Sequence, residues 1–393
     1  MELQPNRLIR IVVVLSFGTI VLATSLHAGI GGLGSQRAVG GVVIDGAGLV
    51  RTATDVESQE LANVVQQGVE PLEGDLREAT ELRMISLKGL QEAIVLSHQS
   101  GQMVPDEVEF LAGLQRIEYV FVDQEQGDII LAGPAEPWEI RADGYVVGTV
   151  TGGSTMRLAD LAVALRSVES ARREGISCSI EPTAEGRLRL QQLLRRIKLR
   201  PGQNPAIFEA SMREAFGPQM IHLTGIPADT RYARTLVAAD FEMKRVAMGL
   251  TDSPLPELPS YLEMSRNSRH ASNQNPRWWM ACDYEALVKS ADGLSWKLSG
   301  PGVKTLTEQD VIAEDGTAAG SRSQDRLAQQ WAEKMTEHFG ELSKEMPVFS
   351  DLQNIMDMTL AATLIVQEGL DERSGLDLTV LASDSDALEL TSY

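Results

Sequence analysis

Cysteine is almost missing from this chain, which has 2 among its 393 residues. Neither Cys178 nor Cys282 lies in a Cys-x-x-Cys pair, and two thiolates are too few for a zinc site made of cysteines. A disulfide between them would close a loop of about 100 residues, which the chain-entropy model values at about 4 to 5 kcal/mol. The sequence leaves two alternatives open: a disulfide between Cys178 and Cys282, or two buried thiols that are not linked.

The short motifs of common enzyme classes are also missing. The chain contains no Gly-x-Ser-x-Gly elbow, no His-Glu-x-x-His zinc motif, no Walker loop and no Ser-x-x-Lys set. Near the C-terminus, Asp384 and Asp386 resemble only the beginning of a calcium loop, since its glycine and distal glutamate are lacking. The histidines after residue 28 are widely separated: His98, His222, His270 and His338. The sequence therefore predicts no cofactor and no metal site.

Basic residues are few relative to acidic ones. The chain has 35 lysines and arginines against 55 aspartates and glutamates, and its formal net charge is -20. Affinity for phosphates comes from basic side chains, so this balance argues against general binding to nucleic acids or to anionic membranes. The same acidity favours solubility.

The first 28 residues have the pattern of a secretory signal peptide. Arg7 and Arg10 precede an almost wholly apolar run from Ile11 to Val21, and Ala28 offers a small residue at a plausible cleavage point. The apolar run is about half of the roughly 20 residues that a membrane-spanning helix needs. We expect export followed by cleavage, so that the mature chain has no transmembrane segment; the alternative is a leader that stays attached as an anchor.

The rest of the chain predicts an α+β or mixed α/β fold, with a central core of antiparallel hairpins and several packed helices. Asp143-Gly144 and Asp292-Gly293 each separate two apolar runs, which is a strong signal for a hairpin turn. We predict an N-terminal hairpin and helical subdomain over 29–104, the mixed core over 105–250, a Pro/Ser/Asn-rich linker over 251–275, a β segment packing on the core over 276–313, and a helical C-terminal region with a polar tail over 321–393.

One predicted helix carries an unusual pair of charges. Its pattern runs from Asp229, the expected N-cap, to Leu250, and places Asp240 inside the apolar arc with Lys244 one turn later at the margin. Acid before base at this spacing is the favourable order for an ion pair. One interpretation is a partly buried salt bridge, because an isolated buried charge is costly. The other makes Asp240 an acid, base or ligand in a cleft, with Lys244 tuning its pKa.

Aromatic residues are scarce, at 5% of the chain, so the tryptophans stand out. The cluster of Arg277, Trp278 and Trp279, together with Trp138, is a candidate binding surface, since tryptophan and arginine are typical interface anchors. Core packing is the competing interpretation. Adjacent tryptophans on a strand point to opposite faces, so at least one of the pair is expected to be buried.

Several phrases, in a fixed order, resemble a known family. They are residues 113–117 (GLQRI), 131–136 (LAGPAE) with Trp138, 175–183 (GISCSIEPT), 225–227 (GIP), Asp240 with Met243-Lys244, and 258–262 (LPSYL). Through them, the stretch from about Leu111 to Trp279 resembles an uncharacterised family of exported planctomycete proteins, known as domain of unknown function 1598. The resemblance implies a bacterial cell-envelope setting, and it implies no activity because no catalytic or ligand residues are assigned to the family.

Together these features favour an exported, noncatalytic binding or assembly module of the cell envelope. Its expected partner is another envelope protein or a second copy of itself. The alternative is an exported hydrolase that uses a carboxylate in a cleft, with Asp240 as the best candidate. An enzyme needs ionisable groups converging on a concave pocket, whereas a binding module needs an exposed apolar patch.

Overall fold

The computed structural model describes residues 42–44, 50–57, 59, 72–197, 205–217, 219–267, 275–312, 318–320 and 325–382. The predicted leader, His270 and the acidic pair Asp384 and Asp386 lie outside these ranges. Within them the protein has a mixed α and β fold with antiparallel hairpins and a helical C-terminal region, which confirms the predicted class.

The strands are short apart from two in the second half of the chain. Their bounds are β1 Val42–Ile44, β2 Val50–Thr52, β3 Thr80–Ser86, β4 Tyr119–Asp123, β5 Asp128–Ala135, β6 Trp138–Ile140, β7 Val146–Gly148, β8 Ser177–Pro182, β9 Gln219–Thr224, β10 Asn275–Asp283, β11 Val288–Lys289, β12 Ser295–Lys297, β13 Gly302–Ile312 and β14 Ala318–Gly320.

The helices alternate with these strands, and the C-terminal region is helical. Their bounds are α1 Leu87–Ser100, α2 Asp106–Glu109, α3 Leu158–Glu174, α4 Ala184–Arg196, α5 Glu209–Phe216, α6 Arg231–Ala247, α7 Tyr261–Asn267, α8 Arg326–Glu337, α9 Phe339–Glu345, α10 Pro347–Gln367, α11 Leu370–Ser374 and α12 Thr379–Ala382.

The largest sheet has five antiparallel strands in the order β11-β12-β4-β5-β3. Its inner face buries Val120, Val122 and Leu131 and packs on α1 and α11. Its other face carries Tyr119 and Phe121, because successive side chains on a strand point to opposite sides. The sheet therefore has one covered face and one open face. Three smaller pairs, β1-β2, β6-β7 and β8-β9, and the sheet β10-β13-β14 are also antiparallel.

Helix α10 is the centre of the hydrophobic core. It is 21 residues long, almost all of it is buried, and it packs against α3, α6, α9 and β13. A helix enclosed on all sides must satisfy its polar side chains internally. Accordingly, Ser350 Oγ accepts a hydrogen bond from the amide of Ser154 at 2.8 Å, and Asn354 Nδ2 donates to the carbonyl of the same residue at 2.9 Å.

No helix in the described ranges combines the length and the apolar character that crossing a membrane requires.

Both predicted Asp-Gly hairpins are confirmed, as β6-β7 and β11-β12. Three strands, β3, β13 and β14, were not predicted. Strand β3, at the sheet edge, alternates charged with apolar residues, β13 is 11 residues long, and β14 has only three residues. The predicted cap of α6 was wrong by one residue, since Thr230 Oγ1, not the Asp229 carboxylate, accepts the hydrogen bond from the amide of Ala233 at 3.2 Å.

Candidate functional site

The Asp240–Lys244 pair lies within the core on α6. Asp240 is 1% exposed, and Lys244 Nζ donates a hydrogen bond to its Oδ2 at 2.6 Å. The Lys244 side chain remains 31% exposed, so its stem leads from the buried carboxylate towards the surface. Burial raises the pKa of Asp240, and the ammonium of Lys244 opposes that rise. The Asp240 carboxylate is therefore enclosed by the core, and its side-chain hydrogen bond is with Lys244.

Two of the three tryptophans of the candidate binding surface, Trp138 and Trp278, are buried, as the competing interpretation of core packing expects. Trp278 is 4% exposed and packs edge-on between Tyr261 and Trp331, with ring centroids 5.1 and 5.2 Å away. Trp138 belongs to a separate small cluster, where its ring lies 5.9 Å from that of Phe110. The physical reason is the apolar area of the indole rings, which these packed neighbours remove from water.

Arg277 and Trp279 lie on the same strand, β10, and are only partly buried. The guanidinium carbon of Arg277 is 5.9 Å from the Trp279 ring centroid, and Arg277 Nη2 pairs with Glu308 Oε2 at 3.0 Å. Both contacts are within the β10-β13 sheet. The four residues of the predicted surface are thus not brought together.

Cys178 and Cys282 are reduced thiols, not linked to each other. Cys178 is buried on β8, and burial followed by the charge of Asp240 raises its pKa well above the usual value. Cys282, on β10, contacts Met356 with 3.2 Å between the sulfurs. Of the two alternatives that the sequence left open, the structure has the unlinked one.

A buried network of charges joins four helices, and the sequence did not reveal it. Arg231, the first residue of α6, donates hydrogen bonds to Asp160 on α3 and, at 2.5 Å, to Asp351 on α10. Arg157, just before α3, lies 3.5 Å from Glu109 Oε1 on α2. The helical pattern had placed Arg231 on the polar side of α6, but its side chain is only 8% exposed. The acidic partners come from distant parts of the chain, so no local pattern could have indicated them.

Glu109 is the most unusual acid of this network. Burial raises its pKa from 4.5 to about 7, against the opposing attraction of Arg157. Burial and then the repulsion from Arg231 lower the pKa of Arg157 to about 10. The guanidinium of Arg157 also lies 4.7 Å from the centroid of the Phe110 ring. Glu109 can therefore change its charge near neutral pH, next to a group that stays positive.

The open face of the five-stranded sheet holds the candidate site. A groove of about 510 Å³ runs across it, lined by Glu81, Leu82, Glu118, Tyr119, Phe121, Val288, Lys289, Ser290, Ser295, Trp296 and Lys297. Two exposed apolar side chains line it, Leu82 and Val288, which are 47% and 62% exposed, and Met84 on the same sheet is 58% exposed. Contiguous apolar surface of this kind is typical of an interaction site.

The register of the strands explains the shape of this groove. Lys297, Tyr119, Ala132 and Met84 are consecutive partners across β12, β4, β5 and β3, so their side chains share the open face. Ala132 is fully buried between Tyr119 and Met84 and does not line the groove. The rings of Tyr119 and Phe121 are nearly parallel, 9° apart with 5.8 Å between centroids, and form a ridge along β4. The groove is therefore a furrow beside an aromatic ridge.

Charges of opposite sign lie at the two sides of the furrow. Lys297 is on β12, and its ammonium is 5.8 Å from the centroid of the Tyr119 ring. Glu81 is on β3, where a register shift between Thr80 and Arg83 brings an extra residue to the rim. The alternation of Tyr119 and Phe121 with buried valines was the available sequence signal. This signal was missed because the strand was predicted without assigning its residues to the two faces of the sheet.

The described residues contain no group of three or more His, Cys, Asp or Glu side chains arranged to hold a metal ion. The acids whose pKa is raised by burial, Glu109, Asp160 and Asp240, contact basic side chains of the chain itself and do not line the groove. The open face presents apolar and aromatic side chains together with charges of both signs.

Comparison with known proteins gives one partial match. Residues 178–261 match the model of a family described as a protein of unknown function (DUF1598). This stretch runs from β8 to the start of α7 and includes Asp240 and Lys244, so it supports the resemblance over the middle of the chain. No curated protein and no solved structure matches the chain. The open face, built from β3, β4, β5, β11 and β12, lies outside the matched stretch.

Proposed function

We propose that this protein is a noncatalytic binding or assembly module that is exported to the bacterial cell envelope. The open face of the five-stranded sheet is the observation that carries this proposal. It combines exposed Leu82, Met84 and Val288 with an aromatic ridge and a furrow. Such a face suits an apolar surface of another protein, because burying it removes apolar area from water.

The burial of Asp240 weighs against the alternative, a hydrolase that uses this carboxylate in a cleft. Asp240 is almost fully buried and pairs with Lys244, whereas a catalytic carboxylate must reach its substrate. The groove itself contains the carboxylates of Glu81 and Glu118, and most of its other lining residues are apolar, aromatic or hydroxyl side chains. These features favour binding over catalysis.

Export rests on the N-terminal pattern of two arginines, an apolar run and Ala28. Fractionation of the source cells, with N-terminal sequencing of the purified protein, tests it. We expect the mature chain to begin at Gly29 and to be in the envelope or extracellular fraction. An intact Met1 in the cytosol would contradict export and leave the binding proposal to be judged separately.

Site-specific photocross-linking in the source cells tests the binding role. A photoreactive amino acid at Leu82 or Val288 should give protein adducts, because both side chains are exposed and line the groove. Leu96 on α1 is 67% exposed and provides the matched control, which should give none. Absence of adducts at the two groove positions, or an equal yield at all three, would refute the assignment of the open face as the binding surface.

A further inference from the structure

We infer that α2 and the turn after it form a latch, which is closed on α3 while Glu109 is protonated and opens when this acid ionises. The inference is independent of the binding role of the open face. It rests on two features that meet at Glu109. One is a buried cluster of charges with one acid in excess, and the other is a turn with a strained backbone.

The buried cluster is electrically balanced without Glu109. It contains two basic side chains, Arg157 and Arg231, and Arg231 donates hydrogen bonds to both aspartates, Asp160 and Asp351. The side chains of these four residues are only 2% to 8% exposed. Two positive and two negative charges offset each other, so an ionised Glu109 adds one buried negative charge that has no counterpart. Such a charge is costly away from water.

The groups that face Glu109 do not offset this cost. Burial is the largest influence and raises the pKa of Glu109 to about 7, the attraction of Arg157 opposes it, Asp106 on the same helix raises the pKa further, and Arg231 on α6 lowers it least. Arg157 lies 3.5 Å from Glu109 Oε1, whereas a charge-assisted hydrogen bond is about 2.7 to 2.9 Å long. The turn 111–113 carries no ionisable side chain. Ionisation therefore favours a Glu109 that reaches water.

The turn after α2 is strained in the closed form. Leu111 and Ala112 have φ angles of 45° and 49°, in the left-handed region that residues other than glycine rarely adopt, and Gly113 follows with 78°. Leu111 is fully buried, and its carbonyl accepts a hydrogen bond from the amide of Leu114 at 3.0 Å. Surrounding packing thus holds the turn in an unfavourable conformation, which can relax when α2 leaves α3.

Opening of the latch uncovers a small aromatic cluster. Phe110 joins α2 to the turn and is 1% exposed. Its ring lies 5.9 Å from that of Trp138 and 4.7 Å from the guanidinium carbon of Arg157. These contacts keep the open form a minor population, and the ionisation of Glu109 changes the size of that population. The latch therefore makes the exposure of Phe110 depend on pH.

Hydrogen exchange of the α2 amides measures the opening. The amides of Val108 and Glu109 donate to the carbonyl of Pro105, and the amide of Phe110 donates to that of Asp106. After correction for the intrinsic exchange rate, we expect the opening constant of wild type to rise at least about tenfold from pH 5 to pH 8. The reason is that the open form loses the Glu109 proton near pH 4.5 and the closed form near pH 7. Low urea concentrations should not accelerate this exchange, since a local opening exposes little surface.

Two isosteric variants and one internal reference complete the experiment. Glu109→Gln should remove the rise and keep the opening constant near its low-pH value, whereas Glu107→Gln changes an exposed acid of the same helix and should retain the rise. The buried amides of α10 report unfolding of the whole protein and should exchange more slowly than those of α2 at both pH values. An opening constant that is equal at pH 5 and pH 8 overturns the inference. A rise that persists in Glu109→Gln, or α2 amides that exchange only as slowly as those of α10, overturns it as well.

Discussion

The guanidinium of Arg116 and the carboxylate of Asp357 are joined by two hydrogen bonds, of 2.6 and 3.0 Å, across 241 positions of the sequence. Asp357 is fully buried on α10 and also accepts hydrogen bonds from the amide of Ile117 at 3.0 Å and the hydroxyl of Tyr284 at 2.5 Å. One carboxylate therefore connects the central helix to the approach to β4 and to the segment after β10. It holds the five-stranded sheet against the core.

Replacing Asp357 by alanine should destabilise the protein by about 3 to 5 kcal/mol, because Arg116 loses its partner and two further donors lose their acceptor. Urea unfolding followed by circular dichroism measures the change. Glu345→Ala removes an exposed carboxylate from α9 and should stay within about 0.5 kcal/mol of wild type. Equal effects of the two substitutions would mean that the Asp357 contacts contribute nothing specific.

Removing the partner of Asp240 should make stability depend more strongly on pH. In Lys244→Ala the buried carboxylate is unpaired, so its pKa rises further above the unfolded value. A raised acid pKa means that the folded state holds a proton that the unfolded state has lost. The stabilisation that this bound proton gives the folded state is therefore present at low pH. It disappears as the pH rises through the folded pKa of Asp240. We expect a loss of about 3 kcal/mol at pH 7 that shrinks towards pH 4.

The second change Asp240→Asn distinguishes charge burial from lost packing. In the Lys244→Ala background it removes the unpaired charge and should restore part of the stability at pH 7 while flattening the pH profile. If Lys244→Ala unfolds at the same urea concentration as wild type at every pH, the pair has no structural role.

Glu109→Gln should change how the free energy of unfolding depends on pH, in the range between the unfolded and the folded pKa of this acid. The folded pKa of Glu109 is about 7 and the ordinary value is 4.5, so wild type holds an extra proton when folded in this window and loses stability as pH rises through it. The glutamine variant lacks this loss. We expect its stability relative to wild type to increase by about 2 to 3 kcal/mol from pH 4.5 to pH 8.

Glu107→Gln is the matched control for this experiment, since Glu107 is on the same short helix and is exposed. Its pH profile should follow that of wild type. A Glu109→Gln profile parallel to wild type would show that Glu109 is ionised throughout the window, in spite of its burial.

Alkylation counts the thiols directly. Unfolded without reductant, the chain should take up two iodoacetamide labels, because Cys178 and Cys282 are not linked. In the folded protein Cys178 should resist labelling, since it is 1% exposed and burial keeps its thiol protonated. Mass spectrometry counts the labels on the unfolded and on the folded protein. An unfolded chain with no labels would demonstrate a disulfide.

Local patterns in the sequence predicted much of the fold. The Asp143-Gly144 and Asp292-Gly293 turns, the strands on either side of them and the helix that carries Asp240 all depend on residues close together in the chain. Strand β3 was missed because an edge strand with charged residues lacks a continuous apolar face. Strand β13 pairs with β10 over its length, and that pairing was needed to define it.

No single segment of the sequence contains the information that defines the candidate site. Its groove is lined by residues of β3, β4, β11 and β12, and these meet on one face because of the pairing of separate strands. The sequence left core packing and a binding surface open as alternatives for the tryptophans, because it could not show which rings would have packing partners. In the structure Trp278 packs against Tyr261 and Trp331, and the half-buried Tyr119 and Phe121 lie on the open face of β4.

By itself, the sequence determined the acidic character, the shortage of cysteine, the alternation of helices and strands, and the spacing of Asp240 and Lys244 by one helical turn. These properties depend on composition or on neighbours within a few residues. Only the tertiary structure decided that Arg231 and Asp357 are enclosed by partners and that Tyr119 is left on an open face. Burial and charge pairing depend on which distant segments meet, and that is settled when the whole core packs.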